Sequence, residues 1–476
     1  MADPTIPAAS RPLLPELLAL VAAHRPAVRQ ERIARRQLGL LLGWLCGFGR
    51  HTVTQALLAL GLVDADWSAW YRLFSRGRVD YDRLTACLLG ETLGLVAPTA
   101  PYLVAVDATQ LGRRSRRMPG TSWLRHPGTP VFRSGVRRAQ RFVHLAWLPT
   151  PSPAGYSRAV PLRFEPAFPA KAVPAAGHPP RTEWEAGLAA LAWIRAALDA
   201  AGRPGQRVLA LGDGHYGTSR VWAGLPDRVA VMARCARNRA LFALPAAQPA
   251  RGRRRRYGDR LPRPDAWLRE RRGWRRTTLT VRGRSIPVAY RVEGPCLVNG
   301  AAGRPLFLLV VRGIGRVPAR RRRRDPGFWL VSAVADAGGG WAVPWPAADL
   351  LAWAWQRWEI EVAHRELKRG FGLGEPQCWG PRSAVLSVQW AAWAYAVVVL
   401  AGVRAWGLGR GPVAPPGRWW GGSGRWSLAR LWQGYRRELW GEADFRRVWS
   451  GTAGNWYETA DWLAARTNAT LASSRG

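Results

Sequence analysis

One stretch concentrates residues able to do chemistry: Trp355-Gln-Arg-Trp-Glu-Ile-Glu-Val-Ala-His-Arg-Glu-Leu-Lys368. It contains neither Gly nor Pro, so it is expected to be one helix. At ~100° per residue, Arg357, Glu361, His364 and Lys368 fall within roughly 60° of one another, on a single stripe. Trp358, Ile360, Val362 and Leu367 lie elsewhere on the helix. A carboxylate between an Arg and a Lys has two readings. It is a metal ligand set beside phosphate contacts, or it is a solvated i,i+4 ion pair. The stretch alone does not separate them.

Two aspartates upstream bear on that choice. Tyr102-Leu-Val-Ala-Val106 and Val208-Leu-Ala-Leu211 are short apolar runs, expected as strands buried on both faces. The first ends at Asp107 and the second at Gly212-Asp213-Gly214. In open α/β sheets the carboxyl ends of strands are where sites form. Hydrolysis of a phosphodiester at neutral pH needs a strong nucleophile and neutralisation of a pentacoordinate centre. Two Mg²⁺ ions ~4 Å apart do both and take hard oxygen ligands, chiefly Asp and Glu. Asp107 and Asp213, with Glu361 from a packed helix, would supply them. Taken singly, each Asp is also what a turn or a helix cap uses.

Composition points to a polyanion. Lys+Arg is 71 against Asp+Glu 31, a net charge of +40. G/C-rich codon bias accounts for Arg over Lys but not for so few acids, and nucleic acid is the expected partner. Lys171 and Lys368 are the only lysines, and neither follows a Gly-rich turn with Ser/Thr after it, which excludes a P-loop. The five cysteines (Cys46, Cys87, Cys235, Cys296, Cys378) are scattered without a C-x-x-C pair. Neither structural zinc nor a disulfide framework is indicated, and a reducing cytoplasm fits. Asp3 comes before any basic residue and Glu16 interrupts Leu13–Ala23, against a secretory signal. Ser383–Val403 is apolar enough for a membrane span, but a single segment holding Ser387 and Gln389 is expected as a buried core helix.

The elements that would position the site fall into five regions. Residues 1–95 are helical; Thr52–Gly61 and Trp67–Phe74, separated by a short turn, suggest a helix-turn-helix DNA reader. Residues 96–235 carry strands at Tyr102–Val106, Arg141–Leu148, Ala159–Phe164, Val208–Leu211 and Arg228–Ala233, with a helix at Thr182–Ala201. This makes an α/β core. Residues 236–346 form a β-rich basic insertion with Arg runs at Arg253–Arg256 and Arg320–Arg324. Each run reads singly as a solvated loop; together, with Trp274 and Trp329, they suit a phosphate-tracking surface with stacking platforms. Residues 347–406 return to the core with the Glu361 helix and the helix after it, and 407–476 are a C-terminal helical region.

The chain resembles the DDE transposases of bacterial insertion sequences, in the branch with a Tyr-x2-Arg-x3-Glu-x6-Lys motif. Arg357, Glu361 and Lys368 match at that spacing, and Arg365-Glu-Leu-Lys-Arg-Gly-Phe-Gly-Leu373 is similar to the flanking sequence. Val106-Asp-Ala-Thr109 and Leu211-Gly-Asp-Gly-His-Tyr216 resemble the two Asp strands. The motif's Tyr falls on Ala354, so nothing is carried over to that position, nor the DNA hairpin intermediate the Tyr serves. The resemblance implies a ribonuclease-H-like catalytic fold with Asp107, Asp213 and Glu361 as catalytic metal ligands. It implies two Mg²⁺ ions, with Mn²⁺ able to substitute, and DNA contacts at Arg357, Lys368, His364 and Arg365. Of these, His364 reads from the residues alone first as a neutral helix-surface histidine and only second as a phosphate contact. The implied partners are double-stranded DNA, as transposon ends and as target, and a second copy of the chain on paired ends. The implied reaction is Mg²⁺-assisted hydrolysis that frees a 3′-OH, followed by attack of that 3′-OH on target DNA. Two other classes stay open: a DNA-binding relative without chemistry, and a nuclease that cuts without joining.

Overall fold

Tyr102–Val106 places five apolar side chains in a row, and such a strand is stable only with both faces covered. A computed structural model sets it inside a ten-stranded mixed sheet, with a strand on either side. The structure describes residues 11–130, 132–246, 254–313, 326–409, 411 and 424–440, with the backbone alone of two short strands at 316–317 and 322–323. Arg253, the Arg320–Arg324 run apart from the backbone of 322–323, most of the 407–424 loop and residues 441–476 lie outside the described residues.

The strands that build the site are β1 (Tyr102–Gly112), β2 (Ser122–Arg125), β3 (Val136–Trp147), β4 (Val160–Pro166), β5 (Val208–Gly212) and β6 (Val229–Arg234). β1, β5 and β6 are parallel neighbours, and β3 pairs antiparallel with the other edge of β1. β2 and β4 share the outer edge of β3, β2 along Val136–Ala139 and β4 along Phe142–Trp147. The first strand therefore does not end at Asp107 as expected. Its parallel ladder with β5 ends at Ala105↔Leu211, but its antiparallel ladder with β3 runs on to Gly112. The polar residues Thr109 and Gln110 break the apolar run without breaking the strand, because one neighbour suffices to hydrogen-bond it.

The basic insertion continues the same sheet. β7 (Arg275–Val281), β8 (Arg284–Cys296), β9 (Leu306–Gly313) and β10 (Gly327–Ser332) follow in antiparallel pairs, and β10 docks on β6. β7 and β8 are joined by Arg282-Gly283, both at positive φ (52° and 74°), the two-residue turn whose twist matches a hairpin.

Helices α1 (Leu13–Ala23), α2 (Glu31–Cys46), α3 (Val53–Ala59), α4 (Trp67–Ser75) and α5 (Tyr81–Leu93) precede the sheet. α6 (Glu183–Ala200), with a capping box from Thr182 and Glu185, packs on β3 and β4, and the short α7 (Ser219–Ala223) follows β5. α8 (Ala347–Gln356), α9 (Trp358–Arg369), α10 (Ser383–Trp406) and α11 (Leu428–Leu439) complete the described chain. The expected single helix over Trp355–Lys368 is two helices meeting at Arg357, whose backbone stays α-helical (φ −47°, ψ −32°). Ile360 N–H bonds the Arg357 carbonyl at 3.1 Å, a tighter i→i+3 step at the joint.

α10 is the helix that, among the described residues, has the length and apolarity to cross a membrane, and 94% of its apolar window is buried inside the fold. α1, α4 and α5 pack around it, and α2 packs on α11. Glu438 of α11 accepts the first backbone N–H groups of α1, from Leu13 (2.8 Å) and Leu14 (2.7 Å), capping a helix more than 400 residues away. The N-terminal helices thus share one hydrophobic core with the sheet.

Candidate active site

The register of β1 and β5 fixes the first two carboxylates. Asp107 lies two residues past Ala105 and Asp213 two residues past Leu211, and Ala105 pairs Leu211. Residues two apart share a face, and neighbouring strands lie ~4.8 Å apart, so the two aspartates emerge side by side. Asp213 also does the work of a cap: its Oδ1 accepts the His215 backbone N–H at 2.9 Å and starts a 3₁₀ turn, Gly214–Gly217. Asp107 Oδ1 accepts the Ala108 N–H at 2.9 Å.

α9 brings Glu361. Three glutamates on this helix compete for the role, and their partners separate them. Glu359 is 4% exposed and bound by Arg282, from the β7–β8 turn, and by Arg425. Glu366 is held by Arg158 at 2.6 Å and by the Tyr395 hydroxyl at 2.7 Å. Both fasten the helix. Among the described residues Glu361 pairs within its own stripe, with Arg357 at 2.6 Å, and Arg357 lies 3.9 Å from Asp107 Oδ2.

Electrostatics tie the three acids together. Burial, then the charge of Asp213, push the Asp107 carboxyl up to about 7; Glu361 adds to this, while Arg357 and the Ala108 N–H oppose it. Hard oxygen donors of this kind suit a Mg²⁺-class ion rather than a soft metal. Among the described residues no three His, Cys, Asp or Glu groups stand as close as a closed metal site requires. The Arg357 guanidinium lies between Glu361 and Asp107. The donor set fits a hard dication, and the third carboxylate is held off by its own arginine.

The other expected contacts divide. Lys368 stands in a cleft with Arg50, Gln110, Arg137 and Glu375. Burial and Arg137 lower its ammonium to about 8, against the pull of Asp107. Arg365 is exposed. His364 is not a surface residue: its ring turns inward, 5.0 Å from the ring of His144, with Nδ1 4.0 Å from Asp107 Oδ2. Burial, Lys368 and Arg357 lower it to about 3, so it is neutral. The apolar stripe of α9 (Ile360, Val362, Ala363, Leu367) draws this side of the helix against the sheet. His144, the register partner of Asp107 on β3, escaped sequence reasoning; a lone histidine inside Phe142-Val-His-Leu-Ala-Trp147 was its signal. Trp274 and Trp329 are already stacked within the chain, under Arg312 (4.1 Å) and Arg234 (5.1 Å) respectively.

Ala354 lines a cleft of about 320 Å³ with Arg234, Trp329, Trp355, Arg357 and Trp358. Trp358 is 53% exposed there. The small side chain at 354 leaves aromatic walls beside Arg357 rather than a phenol.

No curated protein matches the chain. The family model described as "DDE superfamily endonuclease" matches residues 27–287, more than half of the 476. That span holds Asp107 and Asp213 and stops before α9. The mixed sheet is consistent with a ribonuclease-H-like DDE domain, whose members generally use divalent metal ions and act on DNA. With two aspartates in register at the heart of the matched region, the chain belongs to the DDE superfamily endonucleases.

Proposed function

We propose that this chain is the transposase of an insertion sequence, which cuts DNA at terminal inverted repeats and joins the freed ends to target DNA. The observation that carries the reading is the approach of Asp107, Asp213 and Glu361 from two parallel strands and a clamped helix. These three carboxylates would hold two Mg²⁺ ions. When bound, such ions acidify the attacking oxygen and neutralise charge at phosphorus. Arg357 exchanges its carboxylate partners for a phosphate oxygen, and Lys368 takes a second phosphate along its cleft. Neutral His364 and His144 fill the space behind Asp107 and keep water from it. Water enters in the first step, leaving a 3′-OH and a 5′-phosphate. In the second step that 3′ oxygen bonds a target phosphorus and displaces a target 3′ oxygen.

The aromatic cleft at Ala354 supports an unstacked base near the cut, with Trp358 as the exposed indole face. On α4, Ser68, Tyr71, Arg72 and Ser75 form an exposed stripe at i, i+3, i+4, i+7, which supports the helix-turn-helix reading of α3 and α4. A homodimer on paired ends is part of the same proposal.

The test is a cleavage and joining assay on DNA that carries the sequences flanking the coding region. Wild type with Mg²⁺ is expected to nick at the repeats and to give joined products. Asp107→Ala, Asp213→Ala and Glu361→Ala are each expected to bind the ends and cut nothing. Cutting by Glu361→Ala removes α9 from the site. Cutting by wild type without joined product leaves a nuclease, and binding without any cutting leaves a regulator.

A further inference from the structure

Asp107, Asp213 and Glu361 are not the only acids at this end of the sheet. Glu183 is the first residue of α6, fixed by the Thr182–Glu185 capping box. Glu183 and Gly187 are one turn apart on the same face of the helix. A Cβ at Gly187 would stand 2.6 Å from the Tyr216 ring, so this face lies directly on the turn that Asp213 begins. Tyr216 is 2% exposed, and its buried hydroxyl has no hydrogen-bond partner. After burial, the charges that act most on that phenol are Glu183, Asp107 and Asp213, in that order. A buried hydroxyl left unpaired is costly, and this one is kept within electrostatic reach of three carboxylates. Glu183 has an arginine of its own, Arg141 of β3, at 3.3 Å. Burial raises the Glu183 carboxyl, and Asp213 adds to this against the pull of Arg141 and His215. Each of two helices therefore presents one arginine-paired glutamate on the side of the strand aspartates: α9 presents Glu361, paired with Arg357, and α6 presents Glu183, paired with Arg141 of β3.

We propose that Glu183 is a fourth carboxylate of the site, holding a hard divalent cation together with Asp213, while the Tyr216 hydroxyl donates its free hydrogen bond to one of the ligating carboxylates. This rests on the reading of the aspartates as metal ligands. A ligand whose orientation is fixed by an outer partner commonly loses roughly 10- to 100-fold in metal affinity when that partner goes, and loss of a ligand weakens binding at least as much.

The test is calorimetric titration of the full chain with Mn²⁺, in wild type, Asp213→Asn, Glu183→Gln and Glu185→Gln. Glu185→Gln is the control on the same turn, since Gln preserves a capping box. Glu183→Gln is expected to weaken Mn²⁺ binding tenfold or more, with Glu185→Gln unchanged. Should Glu183→Gln bind as wild type while Asp213→Asn has lost affinity, Glu183 is only the anchor of Arg141 and the proposal is overturned. Should wild type and Asp213→Asn bind alike, the metal reading of the aspartates falls first. If Glu183→Gln does not fold, Tyr216→Phe carries the test. It is expected to melt no lower than wild type without cation and to bind Mn²⁺ more weakly; unchanged affinity overturns the proposal.

Discussion

Asp107 meets two demands that conflict when no cation is bound. It must be ionised to hold a metal, yet burial and the neighbouring Asp213 and Glu361 push its carboxyl up to about 7. In the unfolded chain it titrates near ~4. Between those values the folded chain keeps a proton that the unfolded chain has lost, so stability falls as pH rises through that window. The side chain is 20% exposed, and the penalty at pH 8 is on the order of 4 kcal/mol at most. Asp107→Asn is expected to remove the penalty and, on the proposed function, to abolish cleavage. In melts without divalent cation the variant is expected to exceed wild type at pH 8 and to match it near pH 4. A variant melting no higher than wild type at pH 8 would show that Asp107 is not under this strain. The candidate site could be nominated residue by residue, since an aspartate closing a short apolar run and the Arg357–Glu361–Lys368 spacing both stand out in the sequence. His144 was not, because its only meaning is its register opposite Asp107. The inward turn of His364 was hidden for the same reason: the stripe defines a helix face, not what that face packs on.

At the scale of elements, α9 is positioned by charges that lie far away in sequence. The hairpin tip at Arg282 reaches Glu359 with Nε at 3.0 Å, and Arg425 approaches from beyond α10. Arg282 holds a left-handed φ of 52°, which a non-glycine residue pays for at about 1 kcal/mol, and the tip is further pinned by backbone bonds to Ala154 and Gly155. Three glutamates on one helix are alike in sequence; only their partners distinguish a fastener from a candidate ligand. That is why the motif spacing pointed to Glu361 while the packing that orients it stayed hidden. The helix joint at Arg357 was hidden too, since no residue there breaks a helix. Removing a fastener should loosen the helix without touching the chemistry directly. Glu359→Ala leaves two guanidiniums without their shared carboxylate, a change that costs about 3 kcal/mol when one partner can swing into solvent. Arg282, at 37% exposure, can do so. Denaturant unfolding is expected to show that loss, with Glu359→Gln intermediate, and the residual cleavage rate should fall together with stability. An unchanged midpoint in Glu359→Ala would mean that the β7–β8 hairpin does not hold α9.

The whole molecule joins what the sequence divided. The alternation of strands and helices was readable because buried strands are short and uniformly apolar, and β1, β4, β5 and β6 each begin within one residue of their expected starts. That the insertion extends the core sheet through β6 and β10 was not readable, since edge pairing leaves no trace in composition. Nor was the wrapping of the N-terminal helices around α10, which makes a membrane-like segment into the centre of a core. Charge acts at this scale as well. A net charge of +40 repels itself in the compact state and is relieved by a polyanion. The exposed arginines near the carboxylates, with Arg50, Arg114 and Arg137 lining the clefts beside Lys368, would give DNA a track past the proposed site. If six to ten phosphates are neutralised along that track, affinity should drop by roughly 10³- to 10⁵-fold between 50 and 200 mM salt. Fluorescence anisotropy with end DNA across a salt series measures the slope. Arg114→Ala and Arg137→Ala should each weaken binding to every sequence alike and reduce the log–log slope by about 1. A slope unchanged in both variants would put the DNA on another face, and a slope near zero in wild type would mean that the charge serves some partner other than a nucleic acid backbone.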